Sequence, residues 1–261
     1  MGSYCMACRR RRGYSVFGCR LGLAAVPLYG SCEPTATLCM TTSAEEILEF
    51  WFGEPAVDSA AVAVLMKRWF SSDRGLDALI RDRFAPAMTA AAASLLHSWQ
   101  GRPRGRLALI LLLDQFPRNV YRGTAAAFAQ DAKALDLTTG GIAAALDRDL
   151  RPLERLFFYM PMQHAESISV QDRSVELFDE LARGAETDFL AKALASSADH
   201  ARQHRDIIAE FGRFPHRNAL LGRSSSEAEV RYLERGGATF GQKDHPERVS
   251  NNGRPGDNLN A

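Results

Sequence analysis

Two segments of this 261-residue chain share one phrase, Asp114-Gln115-Phe116-Pro117-Arg118-Asn119 and Gly212-Arg213-Phe214-Pro215-His216-Arg217-Asn218. Each sets an aromatic ring, a proline, a guanidinium and an amide where an apolar helix must stop, so polar side chains gather beside unpaired backbone groups. In the first copy, Asp114, Arg118 and Asn119 at a helix C-terminus can form an ion pair, cap carbonyls or bind an anion. In the second, Arg213, His216, Arg217 and Asn218, with His204 upstream, read as a clamp for a carboxylate or phosphate, because a guanidinium offers a fork and imidazoles can donate. Between the copies lies Gln163-His164-Ala165-Glu166. His164 and Glu166 could make a base and its orienting acid, or two metal ligands, with Gln163 as a ligand contact beside them.

Several metal and nucleotide chemistries lack their residues. His200 and His204 share a helix face, but the glutamate of H-E-x-x-H is missing between them, so a zinc protease is not expected. The zinc deaminase pattern needs a later P-C-x-x-C, and all five cysteines precede Met40. With no cysteine beyond that point, the remainder has neither disulfide nor thiolate chemistry. Walker, G-x-G-x-x-G and G-x-S-x-G motifs are absent. Neither a metal nor a cofactor is expected. A formal net charge of +1 gives no broad footprint for nucleic acid or an anionic membrane. Only four of 32 basic residues are lysine, which we assign to arginine enrichment from a GC-rich genome rather than to selection for anion binding.

The elements that must position these groups read as helices. Ser43-Ala44-Glu45-Glu46 is a capping box opening a helix through Ile47, Phe50 and Trp51 that ends near Gly53. A second stretch carries Val62, Leu65, Met66 and Trp69. A third, from about Gly75 to Trp99, is expected to break or kink at Pro86. Pro103 suits the first turn of the next helix, and Leu107 to Leu113 is apolar enough to be the most buried element. Thr124 is expected to cap a helix that Gly140-Gly141 breaks, and the helix from Pro152 is expected to stop at Pro161. Helices through Phe178 and from Thr187 to Phe211 follow, and Ser226 with Glu229 forms a second capping box. No run alternates with period two, so sheet is not expected.

The expected class is therefore all-α, an irregular right-handed array of eight to ten helices in antiparallel pairs, tetratricopeptide-like. Residues 43–236 form its single domain. Residues 237–261, rich in glycine, asparagine, proline and charge, read as a disordered tail. Residues 1–39 carry a net charge of +4 and an interrupted apolar stretch that makes a poor leader, so they read as disordered or as an upstream mis-assigned start, with the protein beginning at Met40. A cytoplasmic protein is expected.

The phrases Ile47–Gly53, Leu113–Asn119, Phe158–Glu166, His204–Ile208 and Gly212–Asn218 together resemble a bacterial family catalogued as number 924 of the domains of unknown function. The resemblance runs from about Ser43 to Gly236. It implies a single all-helical domain similar to tetratricopeptide folds and no established activity. Three functions are weighed. The first is binding of a small anionic molecule in a pocket of Asp114, Arg118, Asn119, Gln163, His204, Arg213, His216, Arg217 and Asn218. The second is a cofactor-independent enzyme using His164 and Glu166, and the third is an adaptor that binds a peptide.

Overall fold

The computed structural model describes residues 42–56 and 58–242. The expected disordered or mis-assigned start (1–39) and the part of the expected tail from 243 to 261 lie outside the described residues. Among the described residues there is no strand, and the all-helical class read from the sequence holds. A tetratricopeptide-type arrangement is not established by the packing.

Local chemistry sets many helix boundaries. Helix α1 (Ala44–Phe52) starts at the expected capping box, with Ser43 Oγ accepting from the Glu46 N–H and Glu46 Oε2 accepting from the Ser43 N–H. It ends at Gly53, whose φ of 60° suits a residue without Cβ. Asp58 caps α2 (Ser59–Phe70) and Asp73 caps α3 (Arg74–Ala92). Pro103 sits in the first turn of α4 (Pro103–Ile110), which runs through a wide π turn (Leu111–Gln115) into α5 (Phe116–Val120). A 3-10 turn (Ala125–Phe128) leads to α6 (Asp131–Ala143), followed by α7 (Pro152–Gln163), α8 (Ile168–Arg183) and α9 (Asp188–Phe211). The last helix, α10 (Glu227–Glu234), opens with the second capping box.

Two expected breaks do not occur, and at Pro86, where a break or a kink is expected, the helix is unbroken. Helix α3 continues through Pro86, α7 continues through Pro161, and α6 continues through Gly140-Gly141. In each case burial outweighs local preference: Ile80, Phe84 and Ala87 flank Pro86, and Phe157, Phe158 and Met162 flank Pro161, all in the core. Thr138 donates its hydroxyl to the Phe158 carbonyl beside the gap that Pro161 leaves (2.9 Å).

The core is centred on the run α4–π–α5, which packs against α1, α3, α6 and α7. Leu107 to Leu113 is buried throughout, as the sequence indicates. Around Phe116 and Phe157 the rings of Trp51 and Trp69 meet at centroid distances of 4.7–6.5 Å, and Trp69 donates its indole N–H to the Trp51 carbonyl (2.9 Å). Among the described residues no helix is long and apolar enough to cross a membrane.

The two glycines inside α6 differ in what surrounds them. A Cβ at Gly141 would stand 2.4 Å from Phe158 Cζ and 2.8 Å from Arg106 Cδ, whereas at Gly140 it would meet only Arg106 Nη1, at 3.3 Å. The Phe158 ring is fully buried and cannot swing aside. Gly141→Ala should therefore destabilise the fold by about 1–3 kcal/mol, overpacking outweighing a helix-propensity gain of about 1 kcal/mol. Gly140→Ala should be neutral or slightly stabilising. Urea denaturation of the two variants checks the contrast, and equal effects would contradict it.

Candidate functional site

The π turn carries Asp114 and Gln115. The Phe116 N–H bonds to the Leu111 carbonyl five residues back, and Pro117 has no N–H to continue the ladder. The Arg118 side chain turns back along the helix. Its Nη1 donates to the Asp114 carbonyl (2.8 Å) and lies 3.1 Å from Asp114 Oδ1.

Asp114 is completely buried and its carboxylate is fully occupied. Oδ1 faces His164 Nδ1 at 2.7 Å, and Oδ2 accepts from Gln115 Nε2 at 2.6 Å. Burial alone would raise its pKa, but the Arg118 guanidinium, His164 and Gln115 together overcome that and hold the carboxyl below the ordinary range. An ionised carboxylate only accepts, so His164 carries its proton on Nδ1 and leaves Nε2 as the unprotonated nitrogen. Burial, then the nearby Arg118 charge, pushes the His164 pKa down and keeps the imidazole neutral.

The second copy of the phrase reaches the same network from behind. Asp131 Oδ2 accepts from Arg118 Nη2 (2.9 Å) and from Arg217 Nη1 (3.1 Å), so one oxygen joins the arginines of both copies. Arg217 also donates to the His164 carbonyl (3.2 Å), and its guanidinium lies over the rings of Phe128 and Phe214, at 4.6 and 4.4 Å. Burial, then the Arg118 charge, lowers its pKa to about 10, which leaves it charged at neutral pH.

A cavity of about 330 Å³ opens in front of His164. Arg118, Asn119, Gln163, His164 and His204 of the expected residues line it. So do Gln115, Arg122 and His200, with an apolar side of Trp69, Phe70, Leu156 and Phe178. His204 donates from Nδ1 to the His200 carbonyl (2.7 Å), and burial, then His164, drives its pKa well below the ordinary value. Asn119 donates to Asp77 (2.8 Å), which also pairs with Arg122.

The remaining expected residues are placed elsewhere. Glu166 is not the partner of His164: its carboxylate takes a bidentate pair with Arg223 (2.6 and 2.9 Å) and accepts the Phe214 N–H (2.9 Å). Arg223 Nε also donates to Asn218 Oδ1 (3.0 Å), so Glu166 and Asn218 fasten the two motifs together rather than face the cavity. Arg213 pairs with Glu229 at the start of α10, a structural cap. His216 packs on Phe214 and Phe240 behind the cavity wall.

The sequence also hides one wall. Residues 238–242, placed by composition in a disordered tail, are packed on the site. Phe240 stacks on His204 with ring centroids 3.7 Å apart, and Gln242 Nε2 donates to the Arg118 carbonyl (3.1 Å) while its Oε1 accepts the Gly123 N–H (3.2 Å). Phe240 has a φ of 48°, a left-handed conformation unfavourable for an aromatic residue and held here by these contacts. Among the described residues, no three His, Cys, Asp or Glu side chains are grouped so as to hold a metal ion.

Compared with known proteins, residues 47–237 match the model of a family described as "Bacterial protein of unknown function (DUF924)". The chain is similar to the solved structure of the protein of unknown function ATU0120 from Agrobacterium tumefaciens, with 38% identity and a TM-score of 0.63 over 74% of this chain and 97% of that one. No curated protein matches. Phe240 and Gln242 lie just beyond the family match.

The buried histidines make stability depend on pH. His164, His204 and His216 all have lowered pKa values, His216 to about 3 through burial and then Arg217. Each binds its proton more readily when unfolded, so its contribution is complete above about pH 6.5. Below that, stability falls by about 1.4 kcal/mol per pH unit for each histidine until its folded pKa is reached. His216→Asn should therefore flatten the dependence of unfolding free energy on pH between about 6 and 4 by one such step. An unchanged slope in urea titrations would contradict the assignment.

Proposed function

We propose that this chain, which belongs to the bacterial family of unknown function DUF924, is an acid–base enzyme that takes a proton from a small organic molecule, with His164 as general base and Asp114 as the residue that positions it. One observation carries the reading: the His164 ring lines a cavity of about 330 Å³ while its Nδ1 is fixed 2.7 Å from a buried carboxylate. The ionised Asp114 selects the tautomer, burial keeps the ring unprotonated, and the same carboxylate stabilises the imidazolium once the proton has moved to Nε2. Arg118 and Arg122 on the wall can face negative charge as it develops on the substrate. The apolar side of Trp69, Phe70 and Phe178 suits a substrate with a hydrocarbon or ring portion.

Simple binding of a carboxylate or phosphate is the second reading, favoured by the same two arginines. Both are already paired, Arg118 with Asp114 and Asp131 and Arg122 with Asp77, so little free positive charge is left for a ligand. The adaptor expected from fold analogy draws on no comparable observation.

The test is to incubate the purified protein with bacterial metabolite extract and follow which compounds change, by mass spectrometry. Wild type should convert at least one compound. His164→Gln should slow that conversion by about 100-fold or more, and Asp114→Asn should lower kcat far more than it changes KM. A compound retained by the protein but returned unchanged would replace the enzyme with the binder.

A further inference from the structure

A second cleft, of about 230 Å³, lies between the 94–100 turn and α6. Its polar wall is Ser94, His97, Gln100, Arg106, Lys133 and Asp136, with leucines at the back. The two cations on it are held unlike those of the first site. Arg106 donates from Nε to the Gln100 carbonyl and from Nη1 to the Leu137 carbonyl, each at 2.8 Å, and Lys133 Nζ donates to the Ala92 carbonyl. Among the described residues no carboxylate pairs with either, whereas Arg104, Arg118 and Arg217 all have one. Carbonyl dipoles orient a cation without cancelling its charge. Two cations therefore face one exposed carboxylate, Asp136, and the cleft keeps a positive excess.

Arg106 packs along α6. Its stem crosses α6 at Gly140-Gly141, where a Cβ would come within 3.3 Å of Nη1 and 2.8 Å of Cδ. Burial lowers the Arg106 pKa with no opposing carboxylate. A half-buried guanidinium and an ammonium that line one cleft with a single exposed carboxylate make a receptor for an anion from solvent.

We infer that this cleft is a second ligand site that takes a small oxyanion, a phosphate or a carboxylate group, between Arg106 and Lys133. It is independent of the cavity in front of His164.

Isothermal titration of the full chain with inorganic phosphate and with succinate, at fixed ionic strength, tests it. At least one should bind one-to-one, and which of the two binds assigns the source. Arg106→Gln and Lys133→Gln should each weaken binding by about tenfold or more. Asp136→Asn should tighten it by about two- to fivefold, because a like charge leaves the wall. That gain cannot come from misfolding, so it decides the matter even where Arg106→Gln fails to fold. His164→Gln should bind as wild type does. Binding of neither anion, binding indifferent to the three cleft substitutions, or loss of binding in His164→Gln would each overturn the assignment.

Discussion

The Asp114 carboxylate has no exposed surface, and the arrangement of the site follows from keeping it ionised there. An unpaired carboxylate in such a place costs several kcal/mol, so each oxygen must find donors. The π turn brings Gln115 round to one oxygen, Arg118 folds back from one turn further on, and His164 arrives from α7. Two segments 50 positions apart are tied to a single charge. Its consequence reaches the cavity: the imidazole that lines it has its tautomer set from behind.

The repeated phrase does different work in its two copies. In the first it is read within a continuous helix, where Pro117 removes a donor and the Arg118 side chain turns back to the Asp114 carbonyl. In the second it forms a 3-10 turn, Pro215–Arg217, and Arg217 is sandwiched between Phe128 and Phe214. Both guanidiniums end on Asp131 Oδ2, so the copies meet at a carboxylate that neither copy contains. Phe214 then accounts for Glu166. Its N–H and Arg223 draw that carboxylate away from His164, and the second motif is pinned to the first turn after α7.

The legible parts of the chain are those decided within a few residues. The capping boxes at Ser43 and Ser226 close as read, because both partners lie three residues apart. Leu107 to Leu113 declares its burial by composition. Pro86, Pro161 and Gly140-Gly141 mislead, since the local penalty is real but smaller than the packing that keeps each helix whole. At the site, the residue types were readable and their pairing was not: nothing two residues away from His164 reveals that its partner stands 50 positions earlier. Arg223 carries no motif at all. Phe240 and Gln242 were hidden for the opposite reason, their surroundings having the composition of a tail.

The histidines decide whether the cavity wall behaves as a cation or as a base. His164, His200 and His204 all spend Nδ1 on an acceptor, respectively Asp114, the Ser196 carbonyl and the His200 carbonyl. An acceptor on Nδ1 fixes the proton there, so a neutral ring presents a lone pair at Nε2. For His164 and His204, burial enforces that neutrality, and Phe240 lying flat on His204 strengthens it by excluding water from one face. A clamp for an anion would need the reverse, imidazolium rings and unpaired guanidiniums. With Arg118 and Arg122 already committed to carboxylates, the wall presents imidazole lone pairs rather than free positive charge.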